Sequence, residues 1–126
     1  MAPTRPRALL AATACALLLA ACDGAGGDAQ AIEPPDTDAD IAVVGTDDLR
    51  WHTNALQAEA GTISVSLTCQ DRVNHNLVID ETGEEVAVCA PGETDEGTVE
   101  LEAGEYVFVC TVPGHERSMR GTLTVE

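Results

Sequence analysis

From residue 41 onward, hydrophobic and polar residues alternate in brief runs broken by turn residues, and no stretch sustains a helical period. TISVSLTC, residues 62–69, puts Ile63, Val65, Leu67 and Cys69 on one face of a strand. GTVELEA does the same with Val99, Leu101 and Ala103, and Gly104 then makes a tight link to EYVFVC. In that strand Tyr106, Phe108 and Cys110 share one face while Val107 and Val109 cover the other, and RGTLTVE closes the chain with Leu123 and Val125. Adding IAVV, the region from Leu49 to Leu56, NLVID and EVAVC gives seven or eight short strands within residues 41–126. So many strands in so short a segment predict an all-β sandwich or small barrel.

Composition constrains how such a domain holds together. With one Phe, one Tyr and one Trp, the core has to be aliphatic and modest in size, and a domain this small is often stapled. Cys69 ends one predicted strand and Cys89 another, so a disulfide between them is expected. Beyond the first 22 residues the chain has three cysteines, Cys69, Cys89 and Cys110, which allow three pairings, and their positions along the chain do not choose among them. The odd count leaves one thiol over.

The N-terminus reads as an export signal over residues 1–21: Arg5 and Arg7 precede an uncharged apolar run from Ala8 to Ala21 that is too short for a stable membrane span. Leu19, Ala20, Ala21 and Cys22 resemble the lipobox of bacterial lipoproteins, which implies that Cys22 is lipidated and becomes the first mature residue. Residues 22–40, rich in Asp, Glu, Gly and Pro, then form a flexible acidic tether spanning roughly 25 Å. The expected location is outside the cytoplasm, lipid-anchored to a bacterial membrane, where disulfides persist. Once Arg5 and Arg7 are removed, 22 acidic residues face four arginines and no lysine, a net charge of −18. That charge excludes nucleic acid and anionic lipid as partner surfaces and suits a partner with a basic docking face.

The stretch CTVPGHERSM carries the candidate chemistry. If Cys110 is the unpaired thiol, it stands at a strand end, followed by His115 and by Met119, the only methionine of the mature chain, with His75 upstream in VNHNLVID. One thiolate, two imidazoles and a weak thioether are the donor set for which copper is the best candidate: soft sulfur favours Cu(I), imidazole binds either oxidation state, and a trigonal site with a distant Met suits electron transfer. CTVPGHERSM resembles the ligand loop of the cupredoxins, the blue copper proteins, with spacing similar to azurin, and VNHNLVID and GTLTVE are similar to that family's first-histidine and closing strands. The resemblance implies a Greek-key β-sandwich over 41–126 that binds one type 1 copper ion through His75, Cys110, His115 and Met119. It also implies that Asn76 helps hold the cysteine loop.

Taken singly, Cys110 reads as a structural thiol or disulfide partner, Met119 as core filler, and the histidines as ordinary residues; the joint spacing is what favours a metal. His52 has no such spacing and reads as a surface residue. Three histidines cannot supply a trinuclear oxidase cluster, the loop lacks the second cysteine of a dinuclear site, and nothing marks a base, orienting group and cleft for a cysteine nucleophile. Zinc has little use for the thioether. The expected function is therefore that of a monomeric one-electron carrier between a donor and an acceptor, not an enzyme. A copper buffer or delivery protein and a metal-free immunoglobulin-like module are the rival readings.

Overall fold

The computed structural model describes residues 31–126. The export signal, Cys22 and the first part of the acidic segment lie outside the described residues. Eight strands form two sheets: β1 (Ile41–Gly45), β3 (Gly61–Cys69) and β6 (Thr94–Leu101) in the order β1-β3-β6, and β2 (Ala55–Ala58), β8 (Arg120–Val125), β7 (Gly104–Val109), β4 (His75–Ile79) and β5 (Glu84–Cys89) in the order β2-β8-β7-β4-β5. β1 runs parallel to β3 and β2 parallel to β8; the remaining pairs are antiparallel. The β-sandwich expected from the alternating runs is the architecture observed.

Period-two patterning explains which faces meet. In β3, Ile63, Val65, Leu67 and Cys69 are all buried, while Thr68 sits on the outer side and pairs its hydroxyl with that of Thr94 at 2.8 Å. Val99 and Leu101 of β6, Phe108 of β7 and Leu123 and Val125 of β8 join the same hydrophobic cluster, which continues without a break to Cys110 and Met119. Every residue of β4 is buried, because it lies between β5 and β7 rather than at an edge. The Cys69–Cys89 disulfide joins β3 of one sheet to β5 of the other, and Cys110 is left as a buried free thiol. Of the three pairings open to the sequence, this is the one the fold brings together.

Three expectations need correction. Ala103 does not continue the buried face of Val99 and Leu101; β6 ends at Leu101, and Ala103 is exposed in the link to β7. The Leu49–Leu56 region is not one strand. Leu49 has a φ of 59°, Trp51 makes an isolated bridge to Gly45, and regular pairing begins only at Ala55. His52 is not a free surface residue, since its Nδ1 accepts a hydrogen bond from the Val44 amide at 3.0 Å. In the acidic segment, Asp40 is tied to β3: its carboxylate accepts from the Ser64 amide at 2.8 Å and from the Ser64 hydroxyl at 2.7 Å.

Candidate metal centre

Three of the four candidate residues stand where a strand meets a loop. His75 opens β4, Cys110 directly follows β7, and Met119 directly precedes β8. His115 lies in the connecting loop, whose two ends are closed by a hydrogen bond from the Cys110 amide to the Met119 carbonyl at 3.1 Å. Within the loop the His115 amide donates to the Val112 carbonyl at 2.9 Å, and the Ser118 and Met119 amides both donate to the His115 carbonyl. Gly114, at a φ of 89°, supplies the left-handed residue that this reversal requires.

The loop and β4 converge on one point. Cys110 Sγ lies 3.5 Å from His115 Nδ1 and 4.0 Å from His75 Nδ1, and the three donor atoms all lie within 4.8 Å of one another. His75 and Cys110 are fully buried and His115 is 7% exposed, so only the last comes near solvent. His75 Nε2 lies 3.0 Å from the Thr46 carbonyl, an obligate acceptor, so Nε2 carries the proton and Nδ1 keeps a free lone pair aimed at the sulfur. Burial, with some repulsion from His115, holds the His75 pKa below the usual imidazole range, and burial pushes the Cys110 thiol up. The cluster alone is therefore at rest with an uncharged imidazole at His75 and a protonated thiol. A bound cation would reverse that preference for the sulfur, and its binding would release the thiol proton.

Bonds of about 2.3 Å to sulfur and 2.05 Å to nitrogen, set about 120° apart around one ion, separate the ligand atoms by about 3.8 Å. The observed sulfur–nitrogen separations of 3.5 and 4.0 Å bracket that value, so the sulfur stands at a bridging distance from each imidazole nitrogen. Met119 is fully buried at the loop's end and belongs to the same core cluster as Cys110.

Asn76 clamps the loop from the neighbouring strand. Its Oδ1 accepts from the Thr111 amide at 2.7 Å, and its Nδ2 donates to the Thr111 hydroxyl at 2.8 Å and to Glu85 at 2.9 Å. Thr111 follows Cys110 directly, so these bonds fix the main chain at the sulfur.

Three supporting residues escaped sequence reasoning. Thr46 offers the carbonyl for His75; Gly45 lies so close to the His75 ring that a Cβ there would overlap Cδ2 and Cγ; and Trp51 tilts against the same ring with centroids 6.3 Å apart. A glycine closing an apolar strand is a sign of close approach, and Gly45 after IAVV carried that signal. Nothing in the sequence marked the Thr46 carbonyl or the Trp51 contact.

A two-sheet sandwich with a buried His–Cys–His cluster at a strand-end loop defines a metal-binding class of β protein, and one thiolate with two imidazoles is a donor set that suits copper. The model of the copper binding proteins of the plastocyanin/azurin family matches residues 38–126, and the chain belongs to that family, whose cofactor is a type 1 copper ion. Among solved structures it is similar to auracyanin A, a "blue" copper protein from the green thermophilic photosynthetic bacterium Chloroflexus aurantiacus. That match has 21% identity and a TM-score of 0.59, and covers 68% of this chain and 96% of the other. No curated protein sequence matches.

Proposed function

We propose that this chain is an exported, lipid-anchored blue copper protein that carries single electrons between redox partners. His75 Nδ1, Cys110 Sγ, His115 Nδ1 and the Met119 thioether would hold the ion, and bound copper would supply a one-electron couple. The observation that carries this reading is the buried cluster in which the Thr46 carbonyl leaves His75 Nδ1 bare beside the only free thiol among the described residues.

The chain's own part is to hold that geometry still. β4 and the loop between β7 and β8 are braced by the Asn76 clamp and the Cys110–Met119 hydrogen bond, so the donors barely move when the ion's charge changes. His115 is the exit for electrons: Pro113 and Gly114 are exposed and Val112 half-buried, giving a small uncharged surface on which a partner can approach. The acidic remainder of the surface steers a basic partner toward the protein. Ligands this deeply buried argue against a protein that hands its copper to others, and the Cys69–Cys89 bond argues against the metal-free module, which needs Cys110 as a disulfide partner. That same disulfide supports export to an oxidising compartment, and lipidation at Cys22 places the domain at a membrane surface.

Cu(II) added to the soluble domain is expected to produce the intense blue thiolate-to-copper band, absent in Cys110→Ser. Colourless binding by the parent protein overturns the reading. Labelling the full chain in bacteria with a radioactive fatty acid tests the anchor, with Cys22→Ala expected to abolish incorporation.

A further inference from the structure

Ser118 and Arg120, on either side of Met119, form one wall of a cleft of about 380 Å³ whose other lining residues include Arg50, Trp51, His52 and Asn54. In a chain with 22 acidic residues, no carboxylate lines this cleft, and two of the four arginines among the described residues do. Arg120 gives one arm to Asp80 at 2.7 Å in an exposed pair, whereas the Arg50 guanidinium makes no ion pair among the described residues. His52 accepts from the Val44 amide at Nδ1, so its neutral ring carries the proton on Nε2 and keeps a donor to spare. The cleft thus gathers cationic and donor groups on a molecule that is otherwise strongly acidic. Trp51 links it to the metal centre: its ring lies against His75 with centroids 6.3 Å apart and against Phe108 at 5.7 Å.

We propose that this cleft is a docking site for a carboxylate-bearing surface of a redox partner, separate from the Val112–Gly114 surface at His115. The assignment of a redox partner rests on the electron-carrier reading above. Charge complementarity names the occupant, because guanidinium groups pair with carboxylates in a fixed fork geometry. The chain's net negative charge does not forbid such docking: at physiological ionic strength charges are screened beyond about 8 Å, so a docked carboxylate responds chiefly to Arg50, with Arg120 shared with Asp80, rather than to the distant acidic faces. A partner seated there is separated from His75 by one aromatic side chain. Two partners of opposite charge can then address one site through different surfaces.

The test has two arms. In the first, the redox-inert trianion hexacyanocobaltate(III) is titrated into the isotope-labelled, metal-free protein, and saturating amide shifts are expected at Arg50, His52, Asn54, Ser118 and Arg120. Arg50→Gln should weaken this binding roughly fivefold, while Arg72→Gln, which removes the same charge elsewhere, should leave it unchanged. Absence of saturating shifts at those amides, or equal weakening by both variants, overturns the proposal. In the second arm, hexacyanoferrate(II) or hexaammineruthenium(II) gives one electron to the Cu(II)-loaded protein and is itself oxidised by one charge. Arg50→Gln should slow the anionic reductant severalfold and not the cationic one; an equal effect on both, or none, overturns it. The first arm needs no copper, so failure of the electron-carrier reading and failure of the cleft are told apart.

Discussion

Gly45→Ala tests the packing around His75 directly. Gly45 is not in a left-handed conformation, so the backbone alone would accept alanine and gain about 0.5–1 kcal/mol from a stiffer unfolded chain. The new methyl, however, would overlap Cδ2 and Cγ of a fully buried ring and come within 3.0 Å of Nε2, the atom that donates to Thr46. The ring cannot yield without losing that hydrogen bond, worth about 1 kcal/mol, and overpacking of this kind costs about 1–3 kcal/mol. The balance is a loss of about 2 kcal/mol, or roughly 8–16 °C in the melting temperature of a domain this size. Thermal unfolding of the metal-free protein measures the loss, and the blue band of the loaded protein reports the displaced imidazole. Gly97→Ala is the comparison: its methyl would strike the Val86 carbonyl oxygen in β5, so it should lower stability without shifting the band of the fraction that folds. Parent-like melting with an unshifted band in Gly45→Ala would refute the contact, and lost stability with an unshifted band would refute His75 as a ligand.

Other outcomes follow from the same geometry. Replacing Cys69 and Cys89 together by alanine opens a link between residues 20 apart in sequence, with an expected loss of about 3 kcal/mol in denaturant unfolding. Acid should weaken the metal-free fold. Burial holds His75 and His52 below the ordinary imidazole range, so the unfolded chain binds more protons there, and stability should be intact above about pH 6.5 and decline as pH falls below it. Urea titrations at pH 7.5 and 5.5 measure this, and equal midpoints would contradict it. Met119→Gln should lower the reduction potential while the protein stays blue; an unchanged potential in voltammetry would remove Met119 as a ligand.

Much of the architecture was legible because strands announce themselves by alternation. Ile63, Val65, Leu67 and Cys69 read as one face and are one face, and Phe108 and Leu123 point into the core as their positions implied. The misreadings fall where local pattern yields to tertiary pairing. Ala103 has the parity of a buried residue but lies beyond the last residue that finds a partner in β3, and Leu49 carries an apolar side chain on a backbone turned out of the extended region. His52 lacked any spacing to mark it, yet the fold brings it against the Val44 amide eight residues away.

The amino-acid order by itself determined the strand-rich class, the acidic surface and the cysteine, histidine and methionine of one short loop, because these depend on periodicity, charge and local spacing. Only the tertiary structure decided which cysteine stayed free, which nitrogen of His75 faces the sulfur, and that Gly45, Thr46 and Trp51 surround that ring. Each of those depends on groups far apart in sequence meeting through sheet pairing, as when Thr46 and His75, 29 residues apart, share one hydrogen bond across the sandwich.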